Sequence, residues 1–316
     1  MFNRKRNLTG ILMILVLASA SVAPAQSSKP IHHFKDSTKI GLDSSKAVIW
    51  REPTDIKARD LFYGPGGPDH QPQGKLSFIQ EKFNGVNPKF DVRDEAGIRW
   101  GVKLGNEAKP ETAATRLVWA VGYFTNEDYF LPVLNVSGDM QLTRGQELIQ
   151  HNKINGVRLK RHNKGERQIS DWSWDKNPFV GTKELDGLKI MMELICNVDL
   201  KGANQHVYAE SDGEQRYISA DLGSSFGLAG KTMFYSKGKL RDFQSHPLIK
   251  NAGPDYIDFW RFKHIPREHA KWIGGYLAQL SDAQINDAFK AAGFTPEEAE
   301  GFTQKVREKI NELTAL

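Results

Sequence analysis

At 316 residues, 39% hydrophobic and 26% charged, the chain can bury a sizeable core as one large domain or two lobes sharing a cleft, which excludes a disordered or fibrous protein. The formal charge of +5 includes Arg4, Lys5 and Arg6, and no Lys/Arg run with interleaved aromatics occurs elsewhere, so nucleic acid is not an expected partner. A single cysteine, Cys196, excludes an intramolecular disulfide, and no C-x-x-C or H-E-x-x-H pair argues for zinc.

The chain opens with Arg4-Lys5-Arg6, an apolar run from Ile11 to Ala20, and Ala23-Pro24-Ala25 before Gln26. This basic, apolar, small-residue order is that of a secretory signal peptide, with cleavage predicted after Ala25. The apolar run is short for a membrane span, an uncleaved anchor being the alternative reading, and no cysteine follows it to carry a lipid. The expectation is an exported bacterial protein, periplasmic or extracellular, with residues 1–25 outside the fold and no stable membrane span after cleavage. Residues 26–74 are rich in Ser, Lys, Asp, Gly and Pro with little periodicity, and read as an irregular leader packed over a lobe. Within them Gly64-Pro65-Gly66-Gly67-Pro68 lacks the flanking strand and helix of a phosphate-binding loop, so a turn is predicted.

From Lys75 the pattern becomes strand, turn, strand, turn, strand: Leu76-Ser77-Phe78-Ile79, a turn at Asn84-Gly85, Lys89-Phe90-Asp91-Val92, a turn at Asp94 to Gly97, then Ile98 to Leu104. A helix follows, with Pro110 in its first turn, an apolar face of Ala113, Ala114, Leu117, Val118 and Val121, and Gly122 as its stop. Glu111 falls on that face. Asp128 to Val136 reads as a strand, Gly145 to Asn155 as a short helix or loop insertion, and Val157 to Arg161 as another strand. On this last strand Arg158, Lys160 and Arg161 read as a solvated face. Asp171-Trp172-Ser173-Trp174-Asp175 supports two readings, aromatic faces for a ring ligand or a Trp-anchored loop.

Leu185, Leu188, Met192 and Ile195 recur at helical spacing, so a helix is predicted over 183–196, with Cys196 as a small buried side chain. It delivers the chain into Asn197-Val198-Asp199-Leu200-Lys201-Gly202-Ala203-Asn204. Two strand runs, His206 to Ala209 and Arg216 to Ser219, are joined through Asp212-Gly213 and form a hairpin that brings Asn204 near Asp221-Leu222-Gly223. Residues 224–264 lack strong periodicity, and His206, His246 and His264 read as ordinary structural or surface histidines. Three helices close the chain. Pro266 opens the first, while Ser281 with Gln284 and Thr295-Pro296 with Glu298 form capping boxes for the next two.

The D-x-K-x-x-N spacing of Asp199, Lys201 and Asn204, the hairpin, the D-L-G at Asp221 and the upstream Val102-Lys103-Leu104 strand together resemble the protein-kinase-like superfamily in its atypical branches, of the HipA-like, CotH-like and secretory-pathway kinase types. The resemblance spans residues 75–230. It implies an α+β, two-lobed fold with an antiparallel-sheet N-lobe over 75–165 and a mainly helical C-lobe over 166–316. It further implies that Lys103 clamps phosphates with Glu111 as its partner, Glu107 being the fallback. The loop from Asn84 to Lys89 would lie above those phosphates. Asp199 would act as base, Lys201 would reach the γ-phosphate, and Asn204 and Asp221 would hold Mg2+ or Mn2+ beside ATP. Residues 224–264 would form the activation or substrate segment. Three departures stand out: Asn197-Val198 replaces the usual His-Arg, the loop glycines do not match G-x-G-x-x-G, and Lys103 and Glu111 are unusually close in sequence.

The expected function is therefore an exported, Mg2+-dependent, ATP-using phosphotransferase whose partners are a nucleotide and an unknown hydroxyl-bearing acceptor. Nucleotidyl transfer on the same scaffold, such as AMPylation, and a non-catalytic kinase-shaped nucleotide-binding or scaffold protein are the alternatives.

Overall fold

The leader enters the described structure at Ile40 and does more than lie on a surface. This computed structural model describes residues 40–85, 87–228 and 236–316, so the predicted signal peptide and the leader up to residue 39 lie outside it. Strand β1 (Ala47–Val48) pairs in parallel with β10 (Gln215–Ser219). Ile49, Ile56 and Leu61 enter the main core, and the Gln284 amide donates to the carbonyls of Ile56 (2.7 Å) and Arg59 (2.9 Å). The Gly64 to Pro68 stretch is a turn, as its prolines dictate, and it runs into a short 3-10 helix at Pro68–His70.

Alternation of inward apolar and outward polar residues then builds a closed barrel. Its strands are β2 (Leu76–Lys82), β3 (Lys89–Arg93), β4 (Arg99–Lys103), β5 (Asp128–Ser137), the short β6 (Ile149–Gln150) and β7 (Lys153–Arg161). β2, β3, β4, β7 and β5 pair antiparallel in that order, and two parallel pairings, Leu76 opposite Val136 and Ser77 opposite Ser137, close the ring. Phe90, Val92, Trp100, Val102, Leu134, Ile154, Val157 and Leu159 fill its interior. The stretch expected to be a helix or loop insertion instead forms a 3-10 turn (Gln146–Leu148), β6 and the start of β7. Residues 153–155 extend β7 because β5 is long enough to pair with them.

Helix α1 (Ala108–Ala120) is buried nearly all round. Its predicted apolar face, Ala113, Ala114, Leu117 and Val118, joins the core of the second lobe, while its other side meets β5 and β7. The second lobe combines a sheet of β1, β10, β9 (Gln205–Ala209) and β8 (Arg167–Asp171) with α2 (Lys183–Leu194), α3 (Leu240–Gln244), α4 (Arg267–Leu277), α5 (Asp282–Ala291) and α6 (Pro296–Thr314). Three short strands, β11 (Asn251–Ala252), β12 (Tyr256–Asp258) and β13 (Ile265–Pro266), form a small third sheet. The fold is thus α+β and two-lobed, a sheet lobe with one helix followed by a mainly helical lobe.

Both expected capping boxes form, Ser281 with Gln284 and Thr295 with Glu298. The aperiodic segment after Gly223 is well packed where described: Phe226 meets Phe243, Phe289 and Phe302 edge-on, and Leu248, Ile257 and Phe259 are buried. Trp172 and Trp174 are buried, and their indoles donate to the carbonyls of Ile218 and Leu200 (both 3.1 Å). They anchor their loop. Lys309 of α6 is also buried, donating to the Leu194 carbonyl and the Cys196 thiol (both 3.1 Å), so the last helix grips the end of α2.

The lobes also meet where Phe130 of β5 packs on Gly293, between α5 and α6. Gly293 has φ +76°, and a Cβ there would overlap the Phe130 ring. Gly293→Ala should therefore cost roughly 1–3 kcal/mol through left-handed strain and overpacking, read as a lowered urea midpoint at unchanged slope.

Candidate active site

Lys103 ends β4 and lies inside, 2% exposed, with its ammonium against three carboxylates: Glu111 at 2.7 Å, Asp221 at 3.0 Å and Glu107 at 3.2 Å. Each carboxylate arrives from a different constraint. Glu111 stands in the first turns of α1. Glu107 is the residue before that helix, and its side chain makes no cap because it is spent on Lys103 and Lys237. Asp221 follows the β9–β10 hairpin, in which Ser219 opposes Gln205 and the Ala220 amide donates to the Asn204 carbonyl (2.8 Å). The short Lys103 to Glu111 spacing is explained by the connection, since α1 starts at Ala108, five residues after Lys103.

Burial works against the charge on Lys103, yet Glu111, with Asp221 and Glu107, holds the ammonium above its ordinary value. Burial likewise pushes Asp221 up, but the Lys103 charge and hydrogen bond and the Gly223 N–H overcome it and hold the carboxyl at about 2. Burial raises Glu111, with Arg158 and Lys103 opposing.

Arg158 corrects the sequence reading. It does not belong to a solvated strand face. It is 6% exposed, donates to Glu111 at 2.9 Å and lies 3.7 Å from Asp128. The alternating pattern of β7 concealed this because a buried arginine and an exposed one look alike in sequence; the buried Asp128 on the neighbouring strand was the available signal. Lys89 starts β3 directly opposite Lys103, and opposed residues of an antiparallel pair project to one face. Its ammonium is lowered by burial first and then by the Lys103 charge, with Asp221 and Glu111 opposing, so it shares the same field.

The second group of candidates lies on the loop after α2. Lys201 pairs with Asp199 at 3.1 Å, and the Asn204 amide nitrogen donates to the Asp199 carbonyl (3.0 Å), turning its amide oxygen the other way. Asn197 joins this loop to the first group. Fully buried, it accepts the Asp199 N–H (3.1 Å) and donates to the Asp221 carbonyl (3.4 Å), while its own N–H meets the Met192 carbonyl (2.8 Å). Sequence reading treated Asn197 only as a departure from His-Arg. An amide ending an otherwise apolar helical run was the sign of its structural task.

Hard oxygen donors at Asn204 and Asp221 are of the kind that suits Mg2+, which binds through one or two protein groups and keeps waters and phosphates for the rest. No cluster of three or more His, Cys, Asp or Glu able to hold a metal occurs among the described residues.

Two outcomes are expected. Arg158→Met should cost roughly 3–5 kcal/mol, because it strips a partner from buried Glu111 and Asp128, with Arg158→Lys recovering part; urea denaturation reads both. The folded carboxyl of Asp221 lies below its ordinary 3.8, so its stabilisation is complete above that pH and is lost as pH falls toward about 2. In Asp221→Asn the fall of the urea midpoint between pH 4 and pH 2 should be shallower than in the parent chain.

No family model and no curated protein sequence matches the chain. Among solved structures it is similar to the Helicobacter pylori proinflammatory kinase CtkA, at 12% identity and TM-score 0.47, covering 77% of this chain and 98% of that one. It is also similar to the Golgi casein kinase, at 10% identity and TM-score 0.36, covering 77% and 73%. The fold assignment rests on the barrel, helix α1 and the hairpin rather than on these likenesses.

Proposed function

We propose that the chain is an exported phosphotransferase of atypical kinase type that uses ATP and Mg2+, or Mn2+, on a hydroxyl-bearing acceptor. The observation that carries the reading is the junction at Lys103, where one ammonium from a rigid strand meets a helix glutamate and the aspartate that follows the hairpin. Phosphoryl transfer asks the protein for positioned charge more than for covalent chemistry, and this cluster is positioned charge.

In this reading Lys103 takes the phosphates, with Glu111 orienting it and Lys89 adding a second cation on the same face. Asn204 and Asp221 hold the metal, which supplies neutralisation of phosphate charge when bound. One oxygen of Asp221 bonds Lys103 and the Gly223 N–H, and the other takes no part in those bonds. Asp199 orients the acceptor hydroxyl and receives its proton, and the neighbouring Lys201 keeps positive charge beside the transferred group. Export rests on the basic, apolar, small-residue order of residues 1–25. No helix among the described residues is long and apolar enough to cross a membrane.

Thermal-shift titration of the mature chain tests this. ATP with Mg2+ at a hundredfold excess over Kd should stabilise it by about 2.7 kcal/mol. Asp221→Ala should abolish the Mg2+-dependent part, and Asp199→Asn should keep binding while lowering turnover by roughly a hundredfold or more. Product masses then separate phosphoryl from adenylyl transfer. Absence of stabilisation in the parent chain sinks the reading.

A further inference from the structure

A cavity of about 680 Å3 opens between α1, the β6–β7 end of the barrel, the segment after Gly223 and the start of α6. Neither Lys103, Asp199, Asn204 nor Asp221 lines it, so it is separate from the site assigned above. Its size is that of a small-molecule pocket.

The lining has two characters. One wall is apolar and partly aromatic, formed by Leu104, Phe130 and Phe294. Around it stand four lysines from three parts of the chain: Lys109 on α1, Lys153 on β7, and Lys237 and Lys239 before α3. Glu147 and Glu298 are the lining carboxylates, and Glu298 is already committed to the Thr295 N–H (3.0 Å) in its capping box. With Lys237 paired to Glu107, three lysines still face two carboxylates among the described lining residues, a small excess of positive charge. The Lys109 ammonium lies 5.3 Å from the Phe294 ring centroid, which sets a cation directly beside the aromatic wall.

Two glycines of the lining hold left-handed backbone, Gly238 at φ +57° beside Phe294 and Pro110 and Gly156 at φ +64° beside Phe130, so a side chain at either would be strained. Lysines gathered around a pocket repel one another until an anion enters, and an aromatic wall rewards a flat apolar body attached to that anion.

We propose that this cavity binds a small aryl phosphate monoester, its ring against Phe294 and Phe130 and its phosphate among Lys109, Lys153 and Lys239. Lys237 borders the pocket but is held by its ion pair with Glu107, so it is not one of the phosphate's partners.

Calorimetric titration of the full chain with phenyl phosphate tests the proposal. One site is expected, with affinity about tenfold weaker in Lys109→Ala/Lys239→Ala and likewise in Lys153→Glu, a substitution on the exposed rim that leaves the core untouched. Inorganic phosphate and phenol should each bind more weakly than phenyl phosphate by a similar factor. Asp221→Ala should bind phenyl phosphate as the parent does, whether or not ATP binds at all, which separates this pocket from the phosphotransferase reading. The proposal is overturned by absence of binding, by equal affinity of parent and lysine variants with matched circular dichroism, by inorganic phosphate binding as tightly as the ester, or by loss of binding in Asp221→Ala alone.

Discussion

A buried ammonium cannot stand without carboxylates, and most of this architecture follows from keeping Lys103 supplied with them. Removing a lysine and two glutamates from water is costly, and the cost is met only when those charges have partners at contact distance, Asp221 adding one from the half-buried edge. Glu111 must come from a helix that starts immediately after the strand, so α1 is tucked between the lobes and buried nearly all round. Arg158 answers the excess of negative charge around Glu111 and Asp128, and Lys237 does the same for Glu107. The barrel, helix and hairpin are three ways of delivering side chains to one point.

A second connection makes the two halves of the site one unit. Asn197 bonds the Asp199 amide and the Asp221 carbonyl, and Lys309 fixes the end of the helix from which Asn197 emerges. Displacing the loop of Asp199 and Lys201 therefore disturbs the segment that carries Asp221. Positioned groups need rigid supports, and here the support is a set of amides and carbonyls between neighbouring turns.

Much of the fold was legible because its signals are local. The hairpin was marked by Asp212-Gly213, the last helices by their capping boxes, and α2 by apolar residues at helical spacing. Glu111 was legible from its place on the apolar face of the helix, and Glu107 from its place just before that helix, within reach of Lys103. Long-range features were hidden. Nothing near Ala47 signals a parallel partner at Gln215, and nothing in β2 signals that Leu76 and Ser77 close the ring with β5. Arg158 was misread for the same reason: whether a strand cation faces water or an acid depends on what the next strand brings. The strand at Lys153 was missed because its pairing partner, not its own composition, makes it a strand.

The leader that carries β1 has a consequence for the order of folding. Asp43 and Gln215, which hydrogen-bond, stand 172 residues apart, and the carbonyls that Gln284 holds are more distant still. Contacts of such separation must wait for loops to close over most of the chain. Residues 40–61 thus leave the ribosome before their partners exist and dock after the hairpin and α5 have formed. A segment made early is thus among the last to find its place, and until then the apolar side chains of Ile49, Ile56 and Leu61 stay available to whatever machinery handles the unfolded chain.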